Sequence, residues 1–142
     1  MALHKLKTME MLMVLSAPDI RNKGFLPPVV SREQVRIAVY TRKRITEDLT
    51  VHVTIDQIKD ELHVGSTAVK TAFKNVYGQS VYAYLKDCRI REARRLLRDT
   101  DLQIGDIAMK AGYLNPGKFS AAFKEICGIT PRGYRNVMRT RQ

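Results

Sequence analysis

Metal-ligand pairs, nucleophile arrangements and long hydrophobic runs are all missing from this 142-residue sequence. Its two cysteines, Cys88 and Cys127, are far apart and show no CxxC or Cys/His spacing that could hold a zinc ion. Both fall in apolar helical contexts and read as reduced core residues. His4, His52 and His63 are scattered without triad-like or ligand spacing. No glycine-rich phosphate loop follows a strand pattern, and Gly112 and Gly117 do not make one. Asp99 and Asp101 look paired, but they lie in a connection and are expected to cap the helix that follows. These absences argue against catalysis and against a metal or organic cofactor.

Membrane signals are equally thin. Lys5 and Lys7 precede an apolar run, Met11 to Leu15, but Glu10 abuts it. A secretory core needs ~7–15 apolar residues, and a bilayer span needs ~20. The expectation is a cytoplasmic protein with no membrane partner.

Acidic residues are also scarce. The chain carries 25 Lys+Arg against 14 Asp+Glu, a net charge of +11. Residues 1–65 hold 10 basic and 8 acidic side chains, whereas residues 66–142 hold 15 and 6. Such a surplus favours a polyanionic partner, either nucleic acid or an anionic membrane. The membrane reading is the weaker one, because the basic residues do not line one amphipathic helix with an exposed apolar side. With 44% hydrophobic residues the chain can still bury a core, at a length suited to about one domain.

What is present is helical throughout. Residues 3–15 suit a short helix, followed by a breaker-rich loop with Pro18, Gly24, Pro27 and Pro28. That loop divides an N-terminal appendage, 1–30, from a main domain, 31–142. Ser31 offers an N-cap for a helix to about Glu47, with Val35, Ala38, Val39 and Ile45 on one face. Thr54 and Gln57 form a capping box that starts a short helix to Leu62. After His63-Val64-Gly65, a second helix runs from Ser66 to Tyr77, with Val69, Ala72, Phe73 and Val76 facing inward. Gly78 closes it, and a long helix spans about 80–98.

The pattern then recurs. Ile104 to Ala111 is a short helix, 112–115 a turn, and Pro116 to Ile126 a second helix ended by Gly128. Thr130 and Pro131 open a last helix carrying Tyr134 and Arg135. Phe73, Lys74, Gly78, Ser80 and Tyr84 return fifty residues later as Phe123, Lys124, Gly128, Thr130 and Tyr134. Ile58 matches Ile107 at an offset of forty-nine, so the second turn is one residue longer. The expected fold is all-α: two helix-turn-helix lobes, about 31–79 and 99–137, joined by a long central helix. That makes about seven helices, with an eighth at the N-terminus.

A helix-turn-helix braces its second helix to enter a major groove, so that helix's outward positions must be small or polar. In the first unit they are Ser66, Thr67, Lys70, Thr71 and Lys74. In the second they are Gly117, Lys118, Ser120, Ala121 and Lys124. Neither set contains a carboxylate, whereas an ordinary solvated face mixes both signs.

At these residues the chain resembles the AraC/XylS family of bacterial transcriptional regulators, over roughly residues 33–137. The matching stretches are Arg89-Ile90-Arg91-Glu92-Ala93-Arg94-Arg95-Leu96-Leu97, Ile107-Ala108 with Ala111-Gly112-Tyr113, Phe119-Ser120 with Phe123-Lys124, and Gly128-Ile129-Thr130-Pro131 with Tyr134-Arg135. The resemblance implies two helix-turn-helix lobes that bind double-stranded promoter DNA and usually activate transcription by contacting RNA polymerase. Carried over by position, it assigns base contacts to Thr67, Lys70, Thr71, Gly117, Lys118 and Ala121. Phosphate contacts fall to Ser66, Lys74, Ser120 and Lys124, aided by the N-termini of the short helices near Ile55 and Ile104. The family often has Arg where this chain has Thr71 and Ala121, and neither can make a bidentate guanine contact. Sequence reading is therefore expected to rest mainly on the first lobe, with backbone and shape readout from the second.

Many members carry a separate sensor domain of about 150 residues, for which 142 residues leave no room. The alternatives are a short stand-alone regulator and a fragment of a longer one. Residues 1–30 are either the end of a linker helix or an extra helix on the first lobe, and Met9, Met11 and Met13 could form a dimer contact. Two reading heads on one chain also permit binding as a monomer. The rival reading is a helix-turn-helix module that binds another regulator, kept open by the small residues Gly117 and Ala121.

Overall fold

The computed structural model describes residues 28–141; the expected helix at 3–15, the breaker-rich loop and the Met9, Met11 and Met13 stripe lie outside the described residues, apart from Pro28. Within them seven helices follow one another: α1 (Arg32–Thr46), α2 (Ile55–Leu62), α3 (Ser66–Tyr77), α4 (Val81–Asp99), α5 (Ile104–Lys110), α6 (Pro116–Cys127) and α7 (Pro131–Thr140). Among the described residues there is no strand and no helix long and apolar enough to cross a membrane.

Local chemistry accounts for most of the boundaries. Ser31 and Thr54 each form a full capping box, with Gln34 and Gln57 returning the hydrogen bond to the cap backbone. Ser80, Asn115 and Thr130 cap α4, α6 and α7 through their side chains, and proline opens both α6 and α7. Helices α3 and α6 end identically. Gly78 and Gly128 turn left-handed, at φ 73° and 78°, and each donates its N–H to a lysine carbonyl, Lys74 or Lys124, at 2.8 Å.

Two cores form, and α4 belongs to both. Its first half sends Tyr84 and Leu85 into a cluster with Ile37, Ile58, Val69 and Phe73. Its second half sends Ile90, Ala93 and Leu97 into a cluster with Ile107, Phe119, Phe123 and Tyr134. The repeat is visible at the level of ring geometry. Phe73 meets Tyr84 edge-on at 5.3 Å and 84°, and Phe123 meets Tyr134 edge-on at 5.5 Å and 76°. Arg135 ties α7 to the end of α4, donating to the Leu102 carbonyl at 2.7 Å and to the Leu97 carbonyl at 3.4 Å.

Three expectations need correction. The buried face of α1 is Ile37, Ala38, Thr41 and Ile45, while Val35 and Val39 are exposed. Thr41 can occupy that face because its hydroxyl donates to the Ile37 carbonyl at 2.8 Å, leaving no unpaired polar group. Asp99 and Asp101 do not cap α5, whose cap is Gln103 without a side-chain bond. Each pairs instead with an arginine, Asp99 with Arg98 and Asp101 with Arg139. Cys88 and Cys127 are half-buried rather than fully in the core, and burial pushes both thiols above their ordinary range.

Candidate nucleic-acid interface

Each helix-turn-helix unit is a short helix, a left-handed turn and a longer helix. In the first, His63 enters the left-handed region at φ 55°, and the Val64 N–H bonds the Lys59 carbonyl at 3.0 Å. In the second, Gly112 holds φ 91°, and the Tyr113 N–H bonds the Ala108 carbonyl at 2.9 Å. The second unit, Ile104 to Cys127, is one residue longer than Ile55 to Tyr77, as the shift in the sequence repeat requires.

The short helix of the first unit is braced from behind. Glu61 on α2 accepts two hydrogen bonds from the Arg44 guanidinium on α1, at 2.8 and 2.9 Å, and one from the Tyr40 hydroxyl at 2.8 Å. Those hydrogen bonds hold the Glu61 carboxyl down at about 2. The same carboxylate raises the Tyr40 phenol and the Arg44 guanidinium.

The long helices α3 and α6 divide cleanly into two faces. On α3, Val69, Ala72 and Phe73 are buried and Val76 is half-buried, while Thr67, Lys70, Thr71 and Lys74 are exposed and Ser66 half-buried. On α6, Phe119, Ala122 and Phe123 are buried, while Gly117, Lys118, Ala121 and Lys124 are exposed and Ser120 half-buried. The ten expected positions thus fall into two groups of five, one on each helix. The Lys118 backbone N–H donates to the Asn115 side-chain oxygen at 3.0 Å, capping the first turn of α6.

Part of the basic surface is charge-paired, and the two outward faces are not. Arg36, Arg44, Arg95, Arg98 and Arg139 all stand against carboxylates, as do Lys59 and Lys86. Lys70, Lys74, Lys118 and Lys124 take part in no ion pair among the described residues. The four lysines of the two outward faces are uncompensated, as are Arg32, Lys43, Arg91, Lys110, Arg132 and Arg141 elsewhere on the described surface. Unshared ammonium groups on a convex helix, interspersed with hydroxyls and small residues, are what phosphates and base edges require.

A family model described as "Helix-turn-helix domain" matches residues 58–136, more than half of the chain. The chain belongs to the AraC/XylS family of helix-turn-helix transcriptional regulators. It is similar to an uncharacterized HTH-type transcriptional regulator, YtdP, of Bacillus subtilis, at 33% identity over 96 residues, 68% of this chain and 12% of that one. It is 38% identical over 68 residues to the HTH-type transcriptional activator RhaR of Yersinia pseudotuberculosis, covering 48% of this chain and 23% of that one. The fold matches the DNA-binding domain of the global transcriptional factor AdpA, solved with a target DNA. The TM-score is 0.68 at 20% identity, over 79% of this chain and 97% of that chain. The chain spans well under half the length of the first curated relatives it matches.

The AraC/XylS pattern locates the two helix-turn-helix units, but it says little about how the lobes are held. The Arg44–Glu61–Tyr40 bridge joins residues 17 and 21 positions apart. The Lys86–Glu125 ion pair, at 2.7 Å, joins α4 to α6 across 39 positions. Sequence offered only the residue types for such pairs, since neither periodicity nor capping relates positions that distant.

Proposed function

We propose that this AraC/XylS-type chain is a sequence-specific regulator of transcription that inserts α3 and α6 into successive major-groove segments of promoter DNA. The observation that carries the reading is the pair of outward faces on equivalent helices, each small or polar, free of acidic residues at the ten positions, and carrying exposed lysines with no carboxylate partner among the described residues. Thr67, Lys70 and Thr71 on α3, and Gly117, Lys118 and Ala121 on α6, face the bases. Ser66, Lys74, Ser120 and Lys124 face phosphates. Reading helices about one helical turn of DNA apart, ~34 Å, would occupy one side of the duplex. Two heads on one chain suit an asymmetric site bound by a monomer, and the protein acts where the DNA is, in the cytoplasm. Activation through RNA polymerase is the mode proposed, in keeping with the name of the RhaR relative. The reading assigns the chain no catalytic step. It places lobe one at about 31–79, the connecting helix at about 80–98 and lobe two at about 99–137.

Selection from a random duplex library, followed by titration against scrambled DNA at two salt concentrations, tests this. The expected result is an enriched site of ~20 bp whose binding falls by ~10³-fold or more between low and moderate salt. The exposed small residues Gly117 and Ala121 favour one rival, a module that docks on another regulator. Weak, sequence-blind retention with no enriched site would decide for it.

A further inference from the structure

Apart from α4, which runs through both cores, the lobes touch where the loop after α1 meets the second helix-turn-helix turn. Arg89, halfway along α4, sits at that junction. Its Nε donates to the Leu49 carbonyl of lobe one at 3.2 Å. Its guanidinium carbon lies 5.8 Å from the centre of the Tyr113 ring of lobe two, within cation–π reach. Leu49 packs against the first core and Tyr113 against the second, so this one side chain links both.

Gly112 completes the junction by having no side chain. A Cβ there would lie 2.1 Å from the Leu49 oxygen and 2.7 Å from Arg89 Nε, closer than atoms can approach. Backbone conformation is not the whole reason for glycine at this place. The corresponding residue of the first turn is His63, which enters the left-handed region with a side chain in place. What the second turn adds is the close approach of lobe one. One turn earlier on α4, Lys86 pairs with Glu125 of α6 at 2.7 Å.

We propose that Arg89, seated between Leu49 and the Gly112–Tyr113 turn, is a positioning residue that sets the spacing between half-sites the chain accepts. The inference rests on the DNA reading proposed above. Gly112 lies four residues before Pro116, the start of α6, so the junction acts on the second reading helix close to its root. One base pair displaces a half-site by about 3.4 Å and rotates it by about a tenth of a turn. Lobes held in one relative setting will reject that displacement, and lobes freed from it will tolerate it.

The selected DNA site is rebuilt with one base pair removed, or with one or two added, between its half-sites. Binding is measured for wild type, R89A and R89K, and residual dipolar couplings are recorded on the free proteins. Wild type is expected to lose about tenfold or more per misplaced base pair and to show one alignment tensor for both lobes. R89A is expected to lose less than about threefold on the same change and to show two tensors, with R89K intermediate because its ammonium can still donate to Leu49. If R89A does not fold, R89Q takes its place, keeping a donor but losing the cation. A uniform loss of affinity at every spacing, with a single tensor retained, would overturn the proposal and leave the DNA reading standing. No enriched site with wild type would overturn the DNA reading and this inference with it.

Discussion

Arg44 and Glu61 form a two-pronged ion pair between α1 and α2, with both guanidinium hydrogen bonds at 2.8–2.9 Å. The carboxyl is held at about 2 in the folded protein against an ordinary 4.5. A depressed carboxyl contributes stability that is fully present above the unfolded value and is lost as pH falls through the folded one. E61Q should therefore melt below wild type at neutral pH, with the gap narrowing as pH falls from about 4.5 toward 2. Both side chains are about a third exposed, so added salt should shrink the gap as well. Thermal melts of the two proteins from neutral pH to pH 2.5 check this, and a gap independent of pH would contradict it.

Phe73 and Phe123 are each fully buried and each meets a tyrosine edge-on, but in separate cores. Truncation to alanine should cost ~3–5 kcal/mol in either case. The damage should also be local. F73A should lower amide protection chiefly in α1–α3, and F123A chiefly in α5–α7, in hydrogen-exchange measurements. Uniform loss across both lobes would mean that α4 couples them into one cooperative unit.

Local chemistry made most of this fold legible. Ser31, Thr54, Ser80 and Thr130 fall at helix starts because a hydroxyl before a periodic apolar run has few better uses. The repeat of Phe73 and Tyr84 as Phe123 and Tyr134 carried the bilobed architecture, since identical spacing demands identical packing. The buried face of α1 departs from the hydropathy pattern, since Val35 and Val39 outrank Thr41 yet stay exposed. Thr41 nonetheless goes inside once its hydroxyl bonds a carbonyl one turn back. Asp99 and Asp101 fit a capping pattern, but Arg98 and Arg139 offered full charges where the helix end offers partial ones. The outward faces of α3 and α6 followed from period 3.6, whereas the Leu49–Arg89–Gly112 junction did not. It joins residues 40 positions apart through a backbone oxygen, and no side-chain pattern marks that.

Gly65 caps α3 without a side-chain hydrogen bond, and a Cβ there would meet nothing within 4 Å. G65S should supply the missing acceptor and raise stability by a few tenths of a kcal/mol, the usual difference between Ser and Gly at this position. Denaturant midpoints at constant slope would show it. A lowered midpoint would mean that a serine at this position does not reach the free amides of the first turn of α3 and only adds strain.

Lys70 and Lys124 are both exposed and unpaired, yet they sit at different depths along their helices. Lys70 lies mid-helix on α3 among Thr67 and Thr71, where a side chain in the major groove meets base edges. Lys124 lies in the last turn of α6 before Gly128, where the proposed docking would bring phosphates near. K70A should therefore lower discrimination at one base step by ~1–3 kcal/mol and leave the other steps alone. K124A should weaken every sequence about equally and reduce the slope of log affinity against log salt by about 1. Titrations of both variants on the selected site and its single-base variants, at three salt concentrations, separate the two roles. If the variants behave alike, the division between base-reading and phosphate-holding lysines fails, and both lysines contribute only to the general attraction of the outward faces for DNA.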